Sequence, residues 1–600
     1  MTANPPRWDL SNVFPGLESA EFKAATTGHA EQVAELERFF DEHLDRLGPE
    51  TPVGELAPLL GETIDRFNAL FEQARTIGPY IHSFVATDSH NLLARRLDSE
   101  FEMVGARLHQ LRTRLEALAG RLAPVLDEVI AANSSAGSHA FALQEAARQS
   151  KYLMPEALEG LAAELSLSST NLWSNLQGVI TSQLSAELQV GGEVRKLPLP
   201  ALINLHSHPE EDVRRRAYEA ELALLASARE PLAACMNGIK GAGVTLSRRR
   251  GREDALHAAI DRARIDRPTL DAMMAAMQDA FPTFRRYWHR KAERLGKERL
   301  AWWDIWAPAA ESKKSYTFAE ARDFILTHFG SFSPTPRGLA ERAFDGGWID
   351  AEQREGKRGG AFCMGVRAPK ESRIMCNFDG SLDQVSTLAH ELGHAFHNEC
   401  HYRADKTTLQ SITPMVLAET ASIMCETIVM DAVLAETTDP AEQLNILETS
   451  LIGDAQVIVD ISSRFLFEKE VFERRAGGEL SADDLCDAMV RAQAATYGDG
   501  VDGHHLHPYM WTWKPHYYSV DLPFYNFPYA FGLLFGTGLY AIYRQRGAAF
   551  VPDYIDLLAS TGEGTAADLA ARFGIDIRER RFWEDSLAVI GRKIDRYCAL

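Results

Sequence analysis

The sequence predicts a mainly α-helical protein with one small β-sheet, on three observations. Apolar residues recur at three- and four-residue steps in the first half: Leu36, Phe39, Phe40, Leu44 and Leu47, then Leu108, Leu111, Leu115, Leu118 and Leu122. That spacing is the signature of helices with one core-facing stripe. Residues 386–397 are apolar around His390-Glu-Leu-Gly-His394 and read as a buried helix. Two runs, 361–365 and 373–378, break the helical pattern and read as short strands around a polar turn containing Pro369.

The first stripes belong to an N-terminal helical region, expected over residues 1–200. Leu197-Pro-Leu-Pro200 marks its end, because paired prolines interrupt regular structure. Residues 201–600 are then expected to hold the chemistry. A hydrophobic share of 46% and a charged share of 24% are those of an ordinary globular protein. The net charge of −21 repels phosphate backbones and anionic membranes, which argues against nucleic acid or a membrane surface as partner. Seven scattered cysteines without a C-x-x-C pair suit a reducing cytoplasm. The N-terminus shows no apolar run of the signal-peptide kind, and residues 531–543 are too short and glycine-broken to span a bilayer.

The strands lead directly into the most informative stretch. His390 and His394 are four apart, so on a helix their rings share a face, about 5–6 Å apart at Cβ. Two imidazoles at that spacing can grip one zinc ion, and Glu391 projects to the same side as a candidate general base. Burying two imidazoles and a carboxylate is costly without partners, and coordination supplies them. Gly393, a poor helix former beside His394, suggests that another backbone packs closely there.

A third ligand is expected from the next helical segment, about residues 413–434. Glu419 and Glu426 are seven apart and share a face with Ser422 amid apolar neighbours. A carboxylate in that setting is either paired or metal-bound. Glu419 is the better ligand candidate. Glu426 is the candidate to hold a ligand imidazole in its tautomer.

H-E-L-G-H followed 25 residues later by E-x-x-S-x-x-x-E resembles the M3 metallopeptidases, the thimet oligopeptidase and oligoendopeptidase F group. Trp8–Pro15, Gly356–Cys363, Pro515–Tyr518 and Pro523–Gly532 resemble further segments of the oligoendopeptidase F branch. The resemblance implies two helical lobes around a deep substrate channel, with the small sheet next to the zinc helix. It implies one Zn2+ per chain on His390, His394 and Glu419, with Glu391 as general base. It also favours a substrate-binding role for Gly359, Gly360, Ala361 and Phe362, where an edge strand can pair with an extended peptide.

Residues 497–532 are rich in glycine, proline, histidine and aromatics and read as a loop. Tyr hydroxyl and His N–H groups suit the stabilisation of an oxyanion. The resemblance assigns that task to His516, then Tyr525 and Tyr529. A further tyrosine of the thimet-type branch falls at Gly532 here, so which tyrosine serves stays open. His504, His505 and His507 lie in a glycine-rich stretch and read as a solvated loop or hinge.

The expectation is a zinc-dependent endopeptidase that cuts internal bonds of short unstructured peptides in the cytoplasm. A metallocarboxypeptidase of similar helical architecture and a non-catalytic peptide-binding protein are the alternatives. Oligopeptides are the expected partners, and the sequence leaves the oligomeric state open.

Overall fold

The structure is a computed structural model that describes residues 5–308 and 314–600. It is helical throughout, apart from five short strands among the described residues. β1 (Ser185–Val190) and β2 (Glu193–Pro198) form an antiparallel hairpin. β3 (Ile349–Asp350), β4 (Phe362–Val366) and β5 (Glu371–Met375) form a sheet of order β3-β5-β4. The chain divides into two compact units. The first comprises Met1–Tyr152, Lys314–Ala432 and Ile542–Phe573; the second comprises Leu153–Lys313, Val433–Ala541 and Gly574–Leu600.

In the first unit, helices Ala20–Phe39, Val53–Thr87 and Leu92–Arg121 pack around two apolar clusters. Their starts follow from local chemistry. Ser19 Oγ accepts the N–H of Phe22 at 3.2 Å, and Asn91 Oδ1 accepts that of Ala94 at 3.0 Å, satisfying donors that an uncapped helix leaves open. The two leucine-rich stripes meet here, since Leu36, Phe40 and Leu44 share a cluster with Leu108, Leu111, Leu115 and Leu118. Each such side chain, once fully buried, contributes about 1.5–3 kcal/mol of transfer free energy.

The sheet also lies in this unit. β4 and β5 are antiparallel, with Phe362 opposite Met375 and Gly365 opposite Ser372. The expected runs are displaced by one to three residues. The turn is tighter than expected, and Lys370 takes a left-handed φ of 52° to close it. Residues 376–378 leave the strand but stay extended: Cys376 N–H donates to Asp350 and Phe378 N–H to Ala351, both at 3.0 Å. β3 runs parallel to β5 and is too short for any periodicity to announce it. β4 is an edge strand of this sheet.

The second unit is built on long helices, Glu211–Arg249, Arg267–Arg294 and Arg580–Ala599 among them. Three of its interior cations are paired, as burial favours. Lys240 lies 2.5 Å from Glu468, Lys291 2.6 Å from Glu448, and Arg214 2.9 Å from Asp304. Residues 498–526 have no regular element longer than a turn, as expected of a loop, but residues 527–532, expected in the same loop, are helical because the apolar run that follows them recruits them into a buried helix. Helix Phe527–Arg546 then begins, with Pro528 in its first turn, where a missing N–H costs nothing. A second expectation fails in this stretch. His507 is not solvated: its Nε2 lies 2.8 Å from Glu221 Oε1, and the other carboxylate oxygen is 3.0 Å from His206. A buried carboxylate distant in sequence captures a histidine that composition alone left in a loop. No helix among the described residues is long and apolar enough to cross a membrane.

Candidate metal centre

The motif lies on helix Leu382–Arg403, which starts where Ser381 Oγ accepts the N–H of Gln384 at 3.3 Å. Gly393 faces the backbone of helix Thr420–Glu436. A Cβ at this position would stand 2.6 Å from Ser422 Cα and 2.7 Å from the carbonyl oxygen of Ala421. Only glycine lets the two helices approach this closely, and that approach delivers the glutamates to the histidines.

The expected single helix over 413–434 is interrupted. A short helix, Met415–Ala418, ends at Glu419, and Thr420–Glu436 follows. Glu419 thus sits at a junction with φ −86° and ψ 0°. Its Oε2 lies 3.2 Å from His390 Nε2 and 3.5 Å from His394 Nε2. One ligand atom from each of the three residues falls within 4.8 Å of the others. The two imidazole centroids are 4.9 Å apart, with ring planes at 82°.

The groups around them fix orientation. Glu426 Oε2 lies 2.9 Å from His390 Nδ1, and its other oxygen accepts from Ser386 Oγ at 3.1 Å. The backbone of Ala418 favours the protonated form of the His394 ring, against the burial that lowers it. Ser422 Oγ donates to Glu419 Oε2 at 2.7 Å. His390 therefore has Nδ1 held by Glu426, the arrangement that a metal-binding imidazole needs, and both rings turn Nε2 toward Glu419.

Electrostatics point to a cation. Burial pulls His390 toward neutrality, but Glu419 and Glu426 outweigh it and raise its pKa to about 10. Burial pushes the Glu419 carboxyl up, and His390, His394 and Ser422 more than offset this, holding it at about 2. Burial lowers His394 to about 4. Glu391 is pushed up to about 7 by burial, reinforced by Glu419 and Glu426 and opposed by His390. Its Oε2 is buried without a hydrogen-bond partner. Three carboxyl groups around two imidazoles call for positive charge. The donor set of two imidazoles and one carboxylate is that of a catalytic zinc site with a position left for a non-protein ligand.

These residues open on a cavity of about 520 Å³ within the first unit. Ala361, Phe362 and Cys363 line it beside His390, Glu391, His394 and Glu419. Gly359 and Gly360 precede the strand in a bend, where the Gly360 carbonyl accepts from Asn377 Nδ2 at 3.0 Å. The sequence reading missed a second i,i+4 pair on the motif helix. His397 Nε2 and His401 Nε2 lie 2.9 and 3.1 Å from Thr561 Oγ1. Their spacing repeats that of His390 and His394 and was visible; the threonine that occupies them was not. The cavity also takes in Arg75 and Arg367, far apart in sequence and marked by no motif.

His516, Tyr525 and Tyr529 belong to the second unit and form a cluster there. The hydroxyls of Tyr525 and Tyr529 are 2.7 Å apart, and Asn526 Nδ2 lies 2.7 Å from His516 Nε2. Burial lowers His516 to about 3, so the ring is neutral at ordinary pH and keeps an N–H to donate.

Similarity to known proteins is extensive. The chain is 21% identical over 603 residues to oligopeptidase PepF of Bacillus subtilis, covering 98% of this chain and 86% of that one. It is 24% identical over 346 residues to the plasmid-encoded oligoendopeptidase F of Lactococcus lactis subsp. cremoris, covering 58% of this chain and 57% of that one. Its fold matches the crystal structure of oligoendopeptidase-F from Enterococcus faecium with a TM-score of 0.68 at 17% identity, over 96% of this chain and 98% of that one. A Chlamydophila abortus protein matches with a TM-score of 0.84 at 19% identity, over 99% and 98%. Residues 204–328 and 338–589, well over half of the sequence and inclusive of every candidate ligand, match peptidase family M3, and the chain belongs to that family.

Proposed function

We propose that this protein is a zinc-dependent oligoendopeptidase that hydrolyses internal bonds of short, unstructured peptides. The observation that carries the reading is the convergence of His390, His394 and Glu419 within 4.8 Å beside the unpartnered carboxylate of Glu391. The family match from residue 204 supports a catalytic region over 201–600 that follows an N-terminal helical region. Seven free cysteines support a cytoplasmic setting.

His390, His394 and Glu419 would hold the ion, with Glu426 behind His390. A bound zinc supplies Lewis acidity, which polarises a carbonyl and brings the pKa of water from 15.7 toward about 7. The chain's own residues do the rest. Glu391, whose buried Oε2 has no hydrogen-bond partner, takes the proton of the attacking water. It then passes that proton to the leaving amine. Gly359, Gly360, Ala361 and Phe362 present the backbone along which an extended peptide adds as a further strand, giving affinity with little dependence on side chains. The family resemblance assigns the donors to the oxygen that becomes negative to His516, with Tyr525 or Tyr529, whose N–H and O–H groups are of the kind that task needs. Glycine at 532 leaves those two tyrosines as the candidates from this segment.

The test is hydrolysis of a peptide blocked at both ends, read by mass spectrometry with and without a chelator. Two fragments from an internal cut, each keeping one blocked end, are expected, lost on chelation and restored by zinc. Removal of single C-terminal residues from an unblocked peptide alone would point to a carboxypeptidase. Binding without products would point to a carrier.

A further inference from the structure

The cavity that holds the candidate ligands is cationic along another part of its wall. Arg75 and Arg367 both line it. No carboxylate of the described residues lies within 4.0 Å of either guanidinium, although the unit's other arginines commonly pair. The acids nearby are engaged elsewhere. Asp405, whose field reaches Arg367, pairs with Lys370 at 2.9 Å. Glu399 takes Arg342 and Arg403 at 2.8 and 2.7 Å, and Glu563 takes Lys406 at 2.5 Å.

The two arginines differ in their attachment. Arg367 is 8% exposed, donates to the carbonyl of Lys406, and lies 5.4 Å over the ring of Tyr402. It is fixed in place. Arg75 is exposed and makes no side-chain hydrogen bond or ion pair with the described residues. Its charge is partly desolvated by the surrounding protein, and Arg367 adds repulsion. In a chain of net charge −21, two unneutralised guanidiniums on one cavity amount to a local reversal of sign. Such a pair lacks an anion, and the planar fork of a guanidinium matches a carboxylate in two parallel hydrogen bonds.

We propose that Arg75, backed by the field of Arg367, is a carboxylate-binding subsite on the peptide cavity, so that substrates carrying a carboxylate at that point are preferred. This rests on the oligopeptidase reading and names a substrate class for it. The carboxylate has two sources, the C-terminal α-carboxylate of a short peptide or an Asp or Glu side chain. The subsite also gives a short peptide a fixed register, because one end or one side chain is anchored while its backbone lies along β4.

The experiment compares matched fluorogenic peptides on the full-length zinc-loaded chain. One pair differs as free acid against C-terminal amide, and a second pair carries Glu against Gln at each position flanking the cut. Binding of the same peptides is measured by fluorescence anisotropy in the Glu391→Gln chain, where turnover is slow on the timescale of the measurement. The wild type is expected to favour one carboxylate member about tenfold or more in both Kd and kcat/KM. Arg75→Ala should collapse that ratio toward one, chiefly through KM, and Arg75→Lys should restore part of it. Arg75→Gln, neutral and close in length, serves if the alanine variant fails to fold. The pair whose ratio collapses identifies the source. A ratio near one in the wild type, or a ratio indifferent to Arg75, overturns the subsite while leaving hydrolysis intact. Preferential binding that depends on Arg75, without hydrolysis of any peptide by the wild type, supports the subsite and instead sinks the peptidase reading.

Discussion

Glu426 Oε2 lies 2.9 Å from His390 Nδ1, so a carboxylate one residue layer behind the metal centre decides which nitrogen of that ring faces Glu419. Removing it leaves the ring free to turn and lowers its basicity. Glu426→Ala is expected to weaken zinc binding by about 10- to 100-fold. Glu426→Gln, which keeps one acceptor, should lose less. Competition with a chromogenic chelator measures both, and unchanged affinity in the alanine variant would contradict the role.

Glu391 and Glu419 are expected to fail differently. Glu391→Gln should lower kcat by about 10²–10⁴-fold with one zinc per chain retained, because only the proton acceptor is lost. Glu419→Ala should lose the metal together with the activity. Elemental analysis of the purified variants beside steady-state rates separates the two, and a zinc-free Glu391→Gln chain would show the assignment to be mistaken.

At Gly393 the expected failure is one of packing. A methyl group there would meet Ser422 Cα at 2.6 Å, so the helices must separate. Gly393→Ala is expected to cost about 1–3 kcal/mol and to reduce zinc occupancy as Glu419 moves away. Denaturant unfolding together with metal content reads both effects. A variant of wild-type stability and full occupancy would mean that the two backbones have room to spare.

Acid should loosen the second unit at Glu221. Burial alone would raise this carboxyl, but His507 and His206 outweigh it and hold its pKa at about 2, against an ordinary value of 4.5. The unfolded chain therefore binds this proton more readily than the folded one. The contribution is complete above about pH 4.5 and drains away as the pH falls toward 2. Urea midpoints followed from pH 7 to pH 3 should drop more steeply for the wild type than for Glu221→Gln. Parallel curves would remove the carboxylate from the account.

The motif helix and its glycine were legible because each is local. The spacing of His390 and His394 fixes a shared face, and Gly393 signals a close backbone whatever its identity. Glu419 and Glu426 could be found by period and by their apolar surroundings, but not the break at Glu419, since nothing in Leu-Ala-Glu-Thr-Ala is a helix stop. β3 escaped because two residues carry no periodicity, and it exists only where β5 offers a partner. His507 was misread because the carboxylate that buries it comes from residue 221. Arg75 and Arg367 likewise acquire meaning only when the fold puts them on one cavity. Local chemistry survives in a linear string; pairings between distant segments do not.

The motif helix carries four histidines in two like-spaced pairs, yet among the described residues only His390 and His394 are met by a carboxylate to complete a trio of donors. His397 and His401 are claimed by the hydroxyl of Thr561, a neutral group that satisfies imidazole without inviting a cation. An incoming ion thus finds a single address on a surface that could have offered two. Titration of the stripped chain should saturate at one equivalent, and Thr561→Asp should convert the decoy pair into a competing sink.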